Sequence, residues 1–399
     1  MATMTAREAA QRMGVKVETL YAYVSRGLVE SHPAPGGRAS VFDARAIEAL
    51  ARRGRPRQSS RSSSLNLLIE TRLTALSPQG VRYRGHLSSD LARDHTFENV
   101  ADLLWLGVLD SRRDPWRGTT FTGIEGLSLG DALRMIVAMA MAASPKDEPL
   151  DPTSVAIAGR HLVATIVDSL PLAGDGRAPR LVLPAGGPPI RSTIAGRLWT
   201  RLSPRRPQPG MVAALNGALV LLADHELAAS TLGVRVAACT RANPYAVVTA
   251  GLGVLSGPFH GGASRVARQM LDRAADVGPA RAVAEMMRSR QRIPGFGHSV
   301  YVDIDPRAKV LLDLLRRAGG SSRMMAIVDE LRAAVVERVG REPNVDFALA
   351  AMTAIAGMPA DGGEVVMSIA RTAGWLAHAI EEYGEAPLRF RPRASYIGL

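Results

Sequence analysis

Between Arg52 and Ser64 the chain reads RRGRPRQSSRSSS, a basic, polar run with no apolar periodicity. Such a run buries nothing, so it stays outside any packed core and reads as a flexible linker. It divides the 399 residues into a small module before it and a large body after it. The expected bounds are a head at 1–53, a linker at 54–64 and a body from 65 onward.

Only 5% of the residues are aromatic while 47% are hydrophobic, so Ala, Leu and Val must fill the body's core. That composition favours packed helices. The order of residues agrees: Leu91 to Leu106, Met211 to Glu226, Tyr245 to Leu255, Asp329 to Val339 and Glu364 to Tyr383 carry apolar side chains at helical spacing. Glycine and proline punctuate between them in SGPFHGGA, RIPGFGH and GMPADGG. No βαβ alternation and no internal repeat is present, and the expectation is an all-α body. No apolar run reaches the roughly 20 residues of a membrane span. The opening MATMTAREAAQRMG lacks the apolar stretch of a secretory signal, and a lone Cys239 forms no internal disulfide. The expected setting is the cytoplasm, with no membrane partner.

Net charge is +12, and half of it falls in the head, where residues 1–63 hold 11 Lys or Arg against 5 Asp or Glu. Thr5 is an expected N-cap, with Glu8 three residues on as its capping-box partner. A short helix with Ala9, Ala10 and Met13 on one face ends at Gly14, and Val17 to Ser25 begins a second. Strand-like flanks around PAPGGR suggest a β-hairpin wing, and Asp43 opens a third helix. The segment TAREAAQRMGVKVETLYAYVSRGLV resembles the winged helix-turn-helix of the MerR/excisionase type. That resemblance implies a second helix in the major groove. Lys16, Thr19, Tyr21 and Arg26 would face DNA there, with Arg38 on the wing.

Three of the eight histidines occupy distinctive settings: His225 late in the apolar helix of LLADHELAAST, His260 in the loop of LSGPFHGGAS, and His298 in IPGFGHSVYVDIDPRA. Asp346 lies among apolar residues in EPNVDFALA, and Arg307, Arg371 and Arg391 complete the set. Arginines bind carboxylates through paired planar hydrogen bonds, so several together point to a polyanionic small molecule. A carboxylate in apolar surroundings has a raised pKa and serves as a base near neutrality. Imidazoles beside it donate hydrogen bonds to an enolate or polarise a ketone. No HxxxH or HExxH pair occurs and the nearest two of the three histidines are 35 residues apart, so no metal is expected.

With these residues in view, the body resembles the citrate synthase family from about Leu65 to Leu399. YRGH, ADHELAAST, GPFHGGA, PGFGHSVYVDIDPRAK, PNVDF, IARTAGWLAHAIEE and RPRASYIG fall in family order. The resemblance implies a mostly helical homodimer with shared active sites, open to higher assembly. Its large domain would comprise 65–260 and 352–399, its small closing domain 261–351. It implies that oxaloacetate and acetyl-CoA condense to citrate and CoA, with the coenzyme A thioester as substrate and no bound cofactor. Asp346 would take the acetyl proton, His260 would stabilise the enol, and His298 would polarise the ketone. His225, Arg307 and Arg371 would hold oxaloacetate, and Arg391 would reach over from the partner subunit. Four places depart from the usual family residues: Val302, Ser299, Ala228, and Ala348 to Ala350 after NVDF. Lys309 is then the candidate for CoA phosphates that Val302 does not meet. Two alternatives stay open: a 2-methylcitrate synthase using propionyl-CoA, and a DNA-binding regulator whose body senses a ligand.

Overall fold

Helix starts in this chain are written by capping side chains. Ser128, Asp151, Thr193, Asn243, Asp305 and Asn344 each accept a first-turn backbone N–H, satisfying donors the helix itself cannot. The computed structural model describes residues 3–391, apart from 14, 16, 26–28, 35–39, 48–67, 78–79, 110–113, 146, 175–191, 258–259, 290–291, 299, 302 and 320–321. Lys16, Arg26, Arg38, Ser299, Val302 and the expected linker at 54–64 thus lie outside the described residues. The chain separates into two compact units, Met1–Ile69 and Glu70–Leu399.

The first unit holds β1 (Thr3–Thr5), α1 (Ala6–Arg12), α2 (Val17–Ser25), β2 (Ser31–Pro33) and β3 (Ser40–Asp43). Thr5 and Glu8 form the capping box, with Thr5 N–H donating to Glu8 Oε2 at 2.8 Å. The flanks of PAPGGR pair as antiparallel strands, Ser31 opposite Phe42 and Pro33 opposite Ser40. β1 adds to the other edge of β3, giving the order β1-β3-β2. That third strand is too short for alternation to reveal. Asp43 Oδ1 accepts the N–H groups of Arg45 and Ala46 and starts the next helical residues. Ala9, Ala10, Leu20, Tyr23, Phe42 and Ile47 form the core of this unit.

The second unit is mostly helical, with one departure from the all-α expectation. β4 (Thr74–Ser77), β5 (Gly80–Tyr83) and β6 (His86–Leu87) form a small antiparallel sheet in that order. Strands of two to four residues give no usable periodicity, which is why sequence reading passes over them. α3 (Ser88–Asp94) and α4 (Phe97–Leu106) replace the single helix expected from Leu91 to Leu106. The break is local chemistry: Thr96 and Asn99 make their own capping box and begin a new helix.

The remaining helices are α5 (Leu129–Ala143), α6 (Pro152–Ser169), α7 (Ile194–Leu202), α8 (Pro209–Leu222), α9 (Ala229–Cys239) and α10 (Pro244–Leu255). They are followed by α11 (Ala263–Val277), α12 (Pro279–Arg288), α13 (Pro306–Arg317), α14 (Ser322–Val339), α15 (Val345–Ala356) and α16 (Gly362–Tyr383). α16 is buried along almost its whole length and packs against α4, α6, α8, α9 and α10. Glycine permits the closest approaches: a Cβ on Gly251 would lie 2.7 Å from the Trp375 ring, and one on Gly374 would strike the Ala223 carbonyl and the Asp224 carboxylate. α16 therefore runs hard against the segment that follows α8, and that segment carries His225. α11, α13, α14 and α15 form a second group, with α15 contacting the other three.

Candidate active site

His225 is not late in a helix, as its apolar context suggests. α8 ends at Leu222, Ala223 is its C-cap, and Glu226 turns left-handed at φ 51°. The loop is fixed from β5: the Tyr83 hydroxyl lies 3.1 Å from the carbonyls of both Leu221 and Asp224. His225 Nε2 is thereby set 2.9 Å from the Tyr301 hydroxyl, and its ring lies 5.6 Å from that of His298. Burial, then the cations Arg307 and Arg371, hold this imidazole far below its usual pKa, so it is neutral at pH 7.

His298 sits in a turn laced to the start of α15. Gly297, at φ 75°, donates its N–H to Glu342 O at 2.9 Å, and Asn344 Nδ2 donates to Gly297 O at 2.9 Å. His298 Nδ1 accepts Val300 N–H at 3.0 Å, so the neutral ring carries its proton on Nε2. Arg307 Nη2 is 3.5 Å from that Nε2. Two donors this close converge on one point, which suits a carbonyl or carboxylate oxygen. Burial and Arg307 lower the His298 pKa and keep the ring neutral.

Arg307 opens α13 behind Pro306. Asp305, the N-cap, accepts Arg307 Nε and Nη2 at 3.0 and 2.8 Å in a bidentate pair, and both residues are buried. Its Oδ2 also accepts Val345 N–H at 3.1 Å, tying the start of α13 to the start of α15. Asp346 follows in the first turn of α15, whose N-terminus favours a negative charge. Burial outweighs that pull and the field of Arg307, raising the Asp346 carboxyl to about 6. The residue keeps some contact with solvent, and no donor among the described residues meets its carboxylate.

His260 lies in the turn between α10 and α11, its Nε2 2.9 Å from Ser230 Oγ. Trp375 Nε1–H donates to that same oxygen at 3.3 Å, and a serine hydrogen turned to His260 Nε2 places the imidazole proton on Nδ1. Burial and Arg371 lower its pKa. Arg371, buried on α16, donates Nε–H to Leu222 O at 3.0 Å. Its charge acts on His225, His260 and Arg307 alike.

Six of the seven residues singled out by sequence are thus drawn into one region. The seventh, Arg391, is exposed at the end of the described chain and meets none of them. Lys309 is exposed one turn into α13 and lines a cavity of about 750 Å³ with Ser77, Ser88, Arg93, Tyr301 and Asp313. Ala228 precedes α9 without a capping side chain, and Ala348 and Ala350 are buried within α15. Thr19 is half-buried on α2 and Tyr21 is exposed there. Sequence reading missed Tyr301, Asp305 and Ser230. Tyr301 and Asp305 stand between His298 and Arg307 in HSVYVDIDPRA, so their position was the available signal. No group of three or more His, Cys, Asp or Glu suited to a metal occurs among the described residues.

Fold and site define a helical protein that gathers buried arginines, neutral imidazoles and a carboxyl of raised pKa into one region. A family model described as "Citrate synthase, C-terminal domain" matches residues 66–393, and the chain belongs to the citrate synthase family. It is 37% identical over 209 residues to "Citrate synthase 2" of Bacillus subtilis (strain 168), covering 51% of this chain and 56% of the relative. That alignment spans little more than half of the relative's length. A citrate synthase of Acidithiobacillus ferridurans is 30% identical over 348 residues, 79% of this chain and 89% of the relative. The fold matches a ternary complex of carboxymethyl coenzyme A and oxaloacetate with citrate synthase from Thermoplasma acidophilum. The TM-score is 0.65 at 23% identity, over 84% of this chain and 94% of that one.

Proposed function

We propose that the chain condenses acetyl-CoA with oxaloacetate, releasing citrate and CoA. The observation that carries the reading is Asp346: a carboxyl raised toward neutrality, met by no donor among the described residues, and tied through Asp305 to the Arg307–His298 pair. Family membership and the ligands of the Thermoplasma acidophilum complex support it. Arg307, Arg371 and His225 hold the two carboxylates of oxaloacetate. Asp346 removes a proton from the acetyl methyl while His260 donates from Nδ1 to the thioester oxygen. The enol carbon attacks the ketone carbon while His298 Nε2–H polarises the ketone oxygen, and that oxygen ends as a hydroxyl carrying the proton Asp346 took from the methyl group. Water then cleaves the thioester of citryl-CoA. No metal or bound cofactor enters these steps; coenzyme A comes and goes with the substrate.

The same reading makes 261–351 a small domain that closes over substrate and Arg391 a contribution from the partner subunit of a dimer. Free, buried Cys239 suits a cytoplasmic chain, and no helix among the described residues is long and apolar enough to cross a membrane. The test is CoA thiol release with oxaloacetate, comparing acetyl-CoA and propionyl-CoA on the full chain. Faster release from acetyl-CoA supports the reading; faster release from propionyl-CoA would make the product 2-methylcitrate, and no release would sink the condensation. Lys309→Ala should raise KM for the acyl-CoA about three- to tenfold with kcat little changed, as expected for one lost phosphate contact. An unchanged KM removes Lys309 from the CoA site.

For the head, we propose DNA contact through α2. The exposed Tyr21, the β2–β3 hairpin and the basic excess of residues 1–63 support it. Lys16, Arg26 and Arg38 would add phosphate contacts. Gel shifts over a salt series should weaken steeply as salt rises. Absence of any salt-sensitive shift with genomic fragments would rule the contact out.

A further inference from the structure

We propose that His378 is a positioning residue for oxaloacetate binding: donating from Nε2, it fixes the Asp224 carboxylate and, through it, Arg371 and the His225 loop. The inference rests on the reading of Arg371 and His225 as oxaloacetate ligands.

His378 is fully buried on α16, and none of the steps above uses it. Arg371, Gly374 and His378 lie on one face of that helix at successive three- and four-residue steps. Arg235 Nε–H donates to His378 Nδ1 at 3.1 Å. Arg235 is always protonated and is itself held by Glu381 and by Glu382, the latter at 3.0 Å. The Nδ1 lone pair is therefore engaged, and the single ring proton must sit on Nε2. That nitrogen is 3.3 Å from Asp224 Oδ2. The arrangement delivers an N–H to a buried carboxylate without adding a second positive charge beside Arg371.

Asp224 depends on such donors. It is fully buried, Oδ2 also accepts the Thr74 hydroxyl at 2.5 Å, and Oδ1 has no partner among the described residues. Burial works to raise its pKa, but His378, Arg371 and Thr74 together hold it below the usual carboxylate range. The carboxylate balances the Arg371 charge without a hydrogen bond to it: Arg371 Nε–H is spent on Leu222 O, Nη2 meets only the Met367 sulfur at 3.8 Å, and Nη1 takes no partner among the described residues. The outer guanidinium edge is thereby left for substrate. Without the His378 N–H, Asp224 would either swing onto Arg371 and occupy that edge or take up a proton and cease to balance it. Both outcomes weaken oxaloacetate binding, and neither touches the acyl-CoA side directly.

The experiment compares wild type, His378→Leu and His378→Gln as full chains, by steady-state kinetics and by calorimetric titration with oxaloacetate. Leu removes both hydrogen bonds, whereas Gln keeps an acceptor for Arg235 and a donor for Asp224. His378→Leu should raise KM and Kd for oxaloacetate roughly 10- to 100-fold, the loss expected for a hydrogen bond to a charged group. Its kcat and acyl-CoA KM should stay within about threefold, and His378→Gln should return oxaloacetate affinity to within about threefold of wild type. If His378→Leu does not fold, Thr74→Val removes the other donor from a separate element and should raise oxaloacetate KM in the same selective way. Unchanged oxaloacetate affinity in a folded variant overturns the inference. So does a uniform loss in kcat and both KM values, or a Gln variant as impaired as Leu. A wild-type chain that neither binds oxaloacetate nor releases CoA overturns the underlying functional reading, and the inference with it.

Discussion

Asp346→Asn should cost condensation about 10²- to 10⁴-fold in kcat, the span typical for removing a general base. Oxaloacetate affinity, read by calorimetry, should stay within about twofold, because Arg307, Arg371 and His225 are untouched. The native pH profile tests the same group. A base must be ionised to accept a proton, and burial raises Asp346 to about 6. Activity should therefore fall as pH drops through about 6, approaching tenfold per unit below it. Stability runs the opposite way. The folded pKa lies above the ordinary aspartate range, so holding the carboxylate charged opposes folding at neutral pH. Asp346→Asn should accordingly be more stable than wild type by about 1–3 kcal/mol at pH 7–8. That advantage should shrink between pH 6 and pH 4 and vanish below, where both states are protonated. A variant keeping a tenth of wild-type kcat, or a native rate flat from pH 8 to pH 5, would dismiss Asp346 as the base.

What sequence made legible was local. The Thr5–Glu8 capping box, the strand flanks of the head and the long apolar helices are encoded by residues three or four apart, and the structure contains them. The motif histidines and arginines were found because glycine turns and charges stand out against an Ala-rich background. What escaped was decided across long separations. His225 leaves its helix early because Tyr83, 141 residues from Asp224, holds the following backbone. His378 carries no signal of its own, because nothing nearby in sequence names Asp224 or Arg235, at 154 and 143 residues' distance, as its partners. Small strands such as β6 are too short for a period to register, yet the sheet they form positions Thr74 and Tyr83 against the active-site loop.

Asp305→Ala should be the most damaging single change to fold and site together. Among the described residues its carboxylate makes four hydrogen bonds: Arg307 N and Nε on Oδ1, Arg307 Nη2 and Val345 N on Oδ2, between 2.8 and 3.1 Å. Removing it strands the buried Arg307 guanidinium without its counter-charge, and breaking a buried pair from one side typically costs about 3–5 kcal/mol. It also uncaps α13 and cuts the tie to α15, so the donors at His298 and Arg307 lose register with Asp346. Misplacement on the scale of 1 Å alone costs about 10²-fold. Added to weaker oxaloacetate binding, kcat/KM should fall at least about 10³-fold. Denaturant melts measure the first effect and kinetics on chain kept folded at low temperature measure the second. Asp305→Asn, which retains one acceptor for Arg307, should fall between alanine and wild type in both. A folded Asp305→Ala chain with native oxaloacetate affinity would show that Arg307 holds its place without Asp305.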